Sequence, residues 1–320
     1  MLIRYYFSTV VRYFYHPKPF YGLKFAIAFR TRYCMKNIFA TLILTLSITV
    51  LSAQRLHVGV FGGASAYNGD LTDKIFPKKV TNGALGITVN YELQDQIMLR
   101  AGLTYTVVGG ADRFSDKADI QMRNLSFETS IFEFSAVGEY YLLNLYDRRY
   151  SPYAFAGLAI YKFNPYAYYG NQQKIFLRPL STEGQGLSNY PDRKEYSLTQ
   201  FAIPFGGGIK FAVTDNLRIG LEGGIRKLFT DYLDDASKNY IDPADLLAAK
   251  GQMAVDISYR SDEVGGSLTY PDKTSQRGNP ESKDMYYFAG IHLTYKLGGG
   301  GGGIGGGGRK NKMGCPTNVY

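Results

Sequence analysis

The sequence predicts an all-β protein: an eight-stranded antiparallel transmembrane β-barrel with long extracellular loops over residues 54–297 and a Gly-rich C-terminal tail. Three observations point there. Eight segments alternate apolar with small or polar residues, the gaps between them alternate short and long, and a secretory leader precedes them. The short gaps are Gln94-Asp95-Gln96, Leu143 to Ser151 and Thr214-Asp215-Asn216. The long ones are Asn68 to Thr81, Gly110 to Arg123, Asn164 to Glu195 and Thr230 to Lys283. If the strands run up and down, all tight turns gather at one end and all long loops at the other. Outer-membrane barrels sort their connections in this way, with brief periplasmic turns and extended surface loops. A soluble sandwich has no reason to do so.

A strand crossing a bilayer needs about 9–11 residues whose side chains alternate between lipid and lumen. Arg55 to Tyr67 puts Leu56, Val58 and Val60 on one face and His57 and Gly59 on the other. Gly83 to Leu93 sets Leu85, Ile87, Val89, Tyr91 and Leu93 against Gly86, Thr88 and Asn90. Ile97 to Val108 sets Leu99, Ala101, Leu103 and Tyr105 against Arg100, Gly102 and Thr104. In Asn124 to Leu142 the apolar phase slips at Ile131-Phe132. One extra residue at a β-bulge would repair it and turn Glu128, Glu133 and Glu139 all inward. Pro152 to Phe163 is apolar on both faces, which leaves its orientation open. Tyr196 to Val213 sends Phe201, Phe205, Ile209 and Phe211 outward and Lys210 inward. Leu217 to Phe229 sends Leu217, Ile219 and Leu221 outward and Arg218, Glu222 and Arg226 inward. Asp284 to Leu297 sends Ile291, Leu293 and Tyr295 outward and His292 inward. An even number of strands lets the first pair with the last, and lipid requires that closure because it cannot satisfy an open edge. Eight strands leave an interior that side chains fill, so the inward Glu and Arg read as an ionic plug.

The chain ends define the compartment. Met35-Lys36-Asn37 forms a short basic region, Ile38 to Leu51 an apolar one, and Leu51-Ser52-Ala53 a small-residue cleavage site, so residues 35–53 read as a signal peptide. Residues 1–34 then read as a leader from a misassigned start codon. Of the 36 Lys and Arg, seven lie in residues 1–53 with none of the 27 Asp and Glu. The processed chain therefore carries 29 against 27, and a nucleic-acid partner loses its electrostatic basis. Outer-membrane lipid is the expected solvent. The 28 Tyr and 20 Phe can supply interfacial girdles where Trp is absent. By parity both termini are periplasmic. Residues 298–320 form a flexible tether whose Arg309, Lys310, Lys312 and Cys315 are candidate contacts for a periplasmic partner.

Catalytic and metal chemistry finds little support. His57 and His292 lie on neighbouring strands, and a His with Ser and carboxylate would suit an outer-membrane hydrolase. No Gly-x-Ser-x-Gly turn accompanies them, and a buried, hydrogen-bonded pair is the simpler reading. Asp231, Asp234 and Asp235 offer oxygen ligands for Ca²⁺, yet their spacing departs from an EF-hand loop; with Glu183 in the other large loop they read as a structural or interaction cluster. No Cys-x-x-Cys or Cys/His zinc spacing exists. No cofactor is implied.

Ser151-Pro152-Tyr153-Ala154-Phe155-Ala156-Gly157, Phe163-Asn164-Pro165, Thr182-Glu183-Gly184-Gln185-Gly186, Ile203-Pro204-Phe205-Gly206-Gly207-Gly208 and Phe229-Thr230-Asp231-Tyr232-Leu233-Asp234-Asp235 occur in this order, with Lys312-Met313-Gly314-Cys315-Pro316 at the end. The series, spread over residues 54–316, resembles the PorG-like outer-membrane barrels of the type IX secretion system. That resemblance implies a non-enzymatic role in protein transport and gliding motility, with PorK-like lipoprotein and PorN-like ring subunits as periplasmic partners. The long glycine tract departs from the pattern and leaves the terminal contact open. An OmpA-like structural or adhesive surface barrel, a lipid-modifying enzyme and a small-solute channel are the alternatives.

Overall fold

The structure, a computed structural model, describes residues 55–72, 79–266 and 269–297. The leader, the signal peptide and the tail, with Arg309, Lys310, Lys312 and Cys315, lie outside the described residues.

The described residues form nine strands: β1 (Leu56–Asn68), β2 (Asn82–Gln94), β3 (Ile97–Ala111), β4 (Ser126–Tyr141), β5 (Tyr150–Tyr169), β6 (Gln173–Phe176), β7 (Thr199–Ala212), β8 (Leu217–Leu228) and β9 (Met285–Lys296). They pair in the order β4-β3-β2-β1-β9-β8-β7-β5, and β4 also pairs with β5, so eight of them close a ring. The first strand meets the last in antiparallel register from His57↔Lys296 to Asn68↔Met285. The hydrophobic pattern is inside out. Leu85, Ile87 and Val89 face outward at 71%, 61% and 48% exposure, while His57, Asn90, Glu133, Glu139, Lys210 and His292 are buried inside. Water would oppose that partition; hydrocarbon demands it.

Two expectations need correction. First, β4 carries no bulge: its pairing runs unbroken from Ile97↔Tyr140 to Ala111↔Ser126 on one side and from Glu128↔Tyr166 to Tyr141↔Tyr153 on the other. The apparent slip arises because Phe127 and Ile131 point inward, into an apolar core at the long-loop end of the barrel. Glu128 consequently faces outward, where it accepts a hydrogen bond from Tyr166 at 2.8 Å. Alternation was intact all along, and the lumen changes from ionic to apolar part way up.

Second, the loop expected from Asn164 begins as strand. β5 is 20 residues long and turns through residues 170–172 into β6, which pairs Tyr166↔Phe176 to Tyr169↔Gln173. The orientation of β5 is also settled: Tyr153, Phe155, Tyr161 and Phe163 are buried inside, and Leu158 faces out at 70% exposure. Among the described residues the long loops hold three short α-helices, α1 (Ala118–Arg123), α2 (Pro243–Lys250) and α3 (Gln252–Ser258). The Asp242 side chain caps α2 by accepting from the Ala244 amide at 3.0 Å, with Pro243 at the first position. No described helix is long and apolar enough to cross a membrane.

Candidate functional site

Two polar assemblies stand out, one in the lumen and one in the loops above it. In the lumen every second residue of each strand points inward, so charges distant in sequence meet across the ring. Arg100 of β3 reaches Glu139 of β4 at 3.1 Å and grips Glu222 of β8 with two nitrogens at 2.5 and 3.1 Å. Lys210 of β7 lies 3.3 Å from the same Glu139. Nearer the long-loop end, Arg226 approaches Glu133 at 3.3 Å. Tyrosine hydroxyls supply further donors: Tyr153 to Glu222 at 2.6 Å, Tyr286 to Glu133 at 2.5 Å, and Tyr141 to Glu139. Buried charges need this pairing because neither lipid nor aromatic walls can replace water. Room for it comes from Gly206 and Gly224, whose added Cβ atoms would each lie 2.7 Å from the Phe155 ring. That ring in turn supports Arg100 at 4.9 Å.

The mouth at the short-turn end of the barrel is closed by the β4–β5 turn, which the sequence marks only as a connection. Leu145 packs into the core with Met98, Tyr141 and Tyr153. The Tyr146 hydroxyl donates to Glu92 at 2.8 Å and receives a hydrogen bond from Lys296 at 2.7 Å. Glu92 also meets His57 at 3.2 Å and Arg218 at 3.7 Å. A cavity of about 20 Å³ remains among Phe61, Arg100, Glu222, Arg226 and their neighbours, space for roughly one water molecule. The described barrel is plugged.

The two histidines do not pair with each other. His57 sits opposite Lys296 and His292 opposite Phe61, so four residues along the strand separate them. His57 binds Glu92; His292 binds Thr88 at 2.8 Å and Arg100 at 3.1 Å. Among the described residues, Glu139, Glu222 and His292 present ligand atoms within 4.8 Å of one another. Arg100 and Lys210 already neutralise both carboxylates, which leaves little attraction for a metal ion.

Above the barrel the loops fold into a cap that brings Glu183, Asp231, Asp234 and Asp235 into one neighbourhood. Its centre is Arg277, a residue that no periodicity or motif marked. One Arg277 nitrogen reaches Glu183 at 3.1 Å and donates to the Asp235 carbonyl at 2.5 Å; the other lies 3.9 Å from the Asp235 carboxylate. Asp235 has a left-handed backbone (φ 65°), unusual without glycine, which lets it offer carbonyl and carboxylate together. Its carboxylate also accepts from Thr182 at 2.5 Å and Tyr196 at 2.7 Å. Glu183 accepts the amides of Ser237 and Lys238 at 2.9 and 3.0 Å. The Thr182-to-Gly186 and Thr230-to-Asp235 motifs are thus two halves of one joint.

Asp234 takes a different partner. Tyr67, at the top of β1, donates to Asp234 at 2.5 Å and lies 3.0 Å from Asp284, whose other oxygen accepts the Leu233 amide at 2.8 Å. Arg123 at the end of α1 clamps Asp112 with two hydrogen bonds of 2.7 Å and reaches the Asp70 and Arg277 carbonyls. The sequence carries no signal for Asp112 or Arg277, because single charges in aperiodic loops resemble solvated ones, and it marks Asp284 only as the start of the last strand.

Burial acts on these carboxyls. It raises Asp231 to about 7, helped by the nearby Asp70, and Asp235 to about 6 against the opposing pull of Arg277. Asp234 and Asp284 also move upward, chiefly through burial, with Asp284 and Asp70 repelling Asp234 and with Asp231 and Asp70 repelling Asp284. A carboxyl whose folded pKa lies above its unfolded value of about 4 binds more protons when folded, so its contribution to stability falls as pH rises between those values. The cap should therefore become more resistant to protease as pH is lowered from about 8 to about 5. Cleavage of the 229–284 loop followed against pH checks this, and faster cleavage at the acid end would refute it.

Similarity searches place this architecture among known proteins. A family described as "Domain of unknown function (DUF6089)" matches residues 36–246. A search of curated proteins found no match. Among solved structures, Neisserial surface protein A is 10% identical with a TM-score of 0.38, over 76% of this chain and 97% of that one. OprG from Pseudomonas aeruginosa is 10% identical with a TM-score of 0.35, over 76% and 98%. Ail of Yersinia pestis is 9% identical with a TM-score of 0.33, over 76% and 99%. At these identities and scores, no binding or assembly property passes from them to this chain.

Proposed function

The chain belongs to the DUF6089 family, and from that premise we propose that it is a non-enzymatic outer-membrane subunit of the type IX protein secretion machinery, anchoring a periplasmic ring. The observation that carries this reading is the filled lumen. A barrel whose interior is occupied by the Arg100–Glu139–Glu222–Lys210 network and closed below by Tyr146 serves as an anchor and offers no conduit. The ordered motif series from Ser151 to Asp235 supports the secretion assignment by resemblance, and two of its motifs meet in the cap joint at Glu183 and Asp235.

In this reading PorK-like and PorN-like subunits are the periplasmic partners, met by the basic segment Arg309, Lys310, Lys312 and by Cys315. The bilayer is met by the band of exposed Leu, Ile, Val and aromatic side chains. The folded extracellular cap favours a second reading, an OmpA-like structural or adhesive surface barrel, because a pure anchor has no need of so large an outer assembly. Deletion of the gene separates the two. Loss of secreted cargo from the medium, with outer-membrane integrity retained, supports the secretion role; an unchanged secretome together with altered surface attachment establishes the other.

A further inference from the structure

Three loop ends converge beside the Arg277 joint, and they carry more buried negative charge than the described residues neutralise. Asp231 and Asp234 come from the start of the β8–β9 loop, Asp284 from its end, and Asp70 from the β1–β2 loop. Asp231, Asp234 and Asp284 are 3%, 2% and 1% exposed. The nearby guanidinium groups are engaged elsewhere, Arg123 with Asp112 and Arg277 with Glu183. Lys283 donates to the Pro280 carbonyl at 2.6 Å. Among the described residues no Lys or Arg nitrogen comes within ion-pairing distance of Asp231, Asp234 or Asp284.

Asp231 is the informative member. Both of its carboxylate oxygens are shielded from solvent, and neither has a donor within 3.5 Å; the Ser237 hydroxyl is the nearest hydrogen-bonding group. The Asp231 charge pushes the Asp284 carboxyl upward, and the charge of Asp70 does the same to Asp231. Asp234 and Asp284 face each other across the Tyr67 hydroxyl. The backbone is drawn in tightly there: a Cβ on Gly69 would lie 2.2 Å from an Asp284 oxygen, and one on Gly278 would lie 2.6 Å from an Asp70 oxygen. A buried carboxylate without a hydrogen bond or a counter-charge is costly. Hard divalent cations resolve such a site with oxygen ligands and tolerate irregular coordination.

We propose that Asp231, Asp234 and Asp284, with Asp70 at the rim, form a binding site for a divalent cation of the Ca²⁺ class in the extracellular cap. Asp231, Asp234 and Asp284 do not all present oxygens within the 4.8 Å that groups the lumen triad. Closing the shell would take a rotation of the Asp231 carboxylate, which has no donor within 3.5 Å. Bound, the ion ties the first and last residues of the 229–284 loop to the β1–β2 loop and makes the cap's rigidity depend on the external medium. Extracellular modules bind Ca²⁺ with dissociation constants of about 10⁻⁴–10⁻³ M, a range in which surface calcium would regulate occupancy. This inference stands apart from the secretion reading.

The test uses the full chain in detergent micelles at a pH where the carboxylates ionise. Wild type is stripped with a chelator and titrated with Ca²⁺ while protease cleavage of the 229–284 loop and the apparent Tm are followed. Saturable protection and a Tm rise of several degrees are expected at roughly millimolar Ca²⁺. Asp231→Asn should fold and lose the response, whereas Asp272→Asn, an exposed acidic site elsewhere in the same loop, should keep it. Terbium emission excited through tyrosine gives a second readout that needs no variant: the chain has no Trp, and Tyr67 touches the proposed ligands. Emission displaced by Ca²⁺ supports the site. A wild type indifferent to Ca²⁺, a D231N variant that responds like wild type, or terbium emission that Ca²⁺ does not displace overturns it.

Discussion

Glu139→Gln should destabilise the folded barrel by about 3–5 kcal/mol, the usual cost of removing one partner from a buried ion pair. Glu139 is fully enclosed and answers two cations, Arg100 at 3.1 Å and Lys210 at 3.3 Å. Arg100 keeps Glu222 after the change, but Lys210 retains no carboxylate within the ion-pair distance among the described residues. Its ammonium is then left against the rings of Tyr141 and Tyr153 at 5.4 and 4.9 Å, which return only part of what the carboxylate supplied. Urea titration in micelles, scored by the folded fraction on unheated gels, measures the loss. The double variant Glu139→Gln, Lys210→Met should recover most of it, because it removes both charges from a site that packs apolar groups well. Equal stability of the single variant and wild type would mean that water reaches the lumen and the plug is not dry.

Arg277→Met should unfold the cap and spare the barrel. The guanidinium holds the Glu183 carboxylate and the Asp235 carbonyl, and its loss leaves two enclosed carboxylates without their cation. A cost of about 3–5 kcal/mol is again expected, and it falls on loops that have fewer contacts to offset it. Protease added outside intact cells should cut between residues 229 and 284 of the variant and leave wild type whole, while the heat-modifiable barrel band persists. Global loss of the folded band would show that cap and barrel unfold as one unit. The separation is expected because the strand ladders satisfy their own backbone groups through β-pairing around the ring, whereas the cap depends on side-chain charges from three loops.

The two substitutions probe parts of the protein that differed in how readily they could be read. The strands were legible because lipid imposes a local rule. Each residue's neighbour two positions away must share its face, so Leu85, Ile87 and Val89 reveal a strand with no knowledge of its partners. The same rule seemed to fail at Ile131-Phe132, where the outward run of Phe132 and Phe134 met the inward Phe127 and Ile131. Assuming a bulge treated apolar as synonymous with outward. That equivalence holds only at the height of the bilayer, and above it the lumen is an apolar core.

The cap was partly legible. Glu183, Asp231, Asp234 and Asp235 could be singled out because carboxylates grouped in glycine-bearing loops are unusual. Their partners could not. Arg277 stands 94 residues from Glu183 and 42 from Asp235 in the chain, and Tyr67 stands 167 and 217 from its two aspartates. No local pattern encodes such distances.

What the amino-acid order determined by itself was the solvent and the strand architecture: which faces meet hydrocarbon, how many crossings there are, and at which end the loops gather. These follow from two-residue alternation and connection length, quantities that short segments carry. Only the folded ring decided which charges meet. Arg100 chooses Glu139 and Glu222 because closure sets β3, β4 and β8 around one narrow lumen, and Arg277 chooses Glu183 because two loops descend on the same rim. Charge pairing acts over a few ångströms in space, and the chain brings those atoms together only after it has closed.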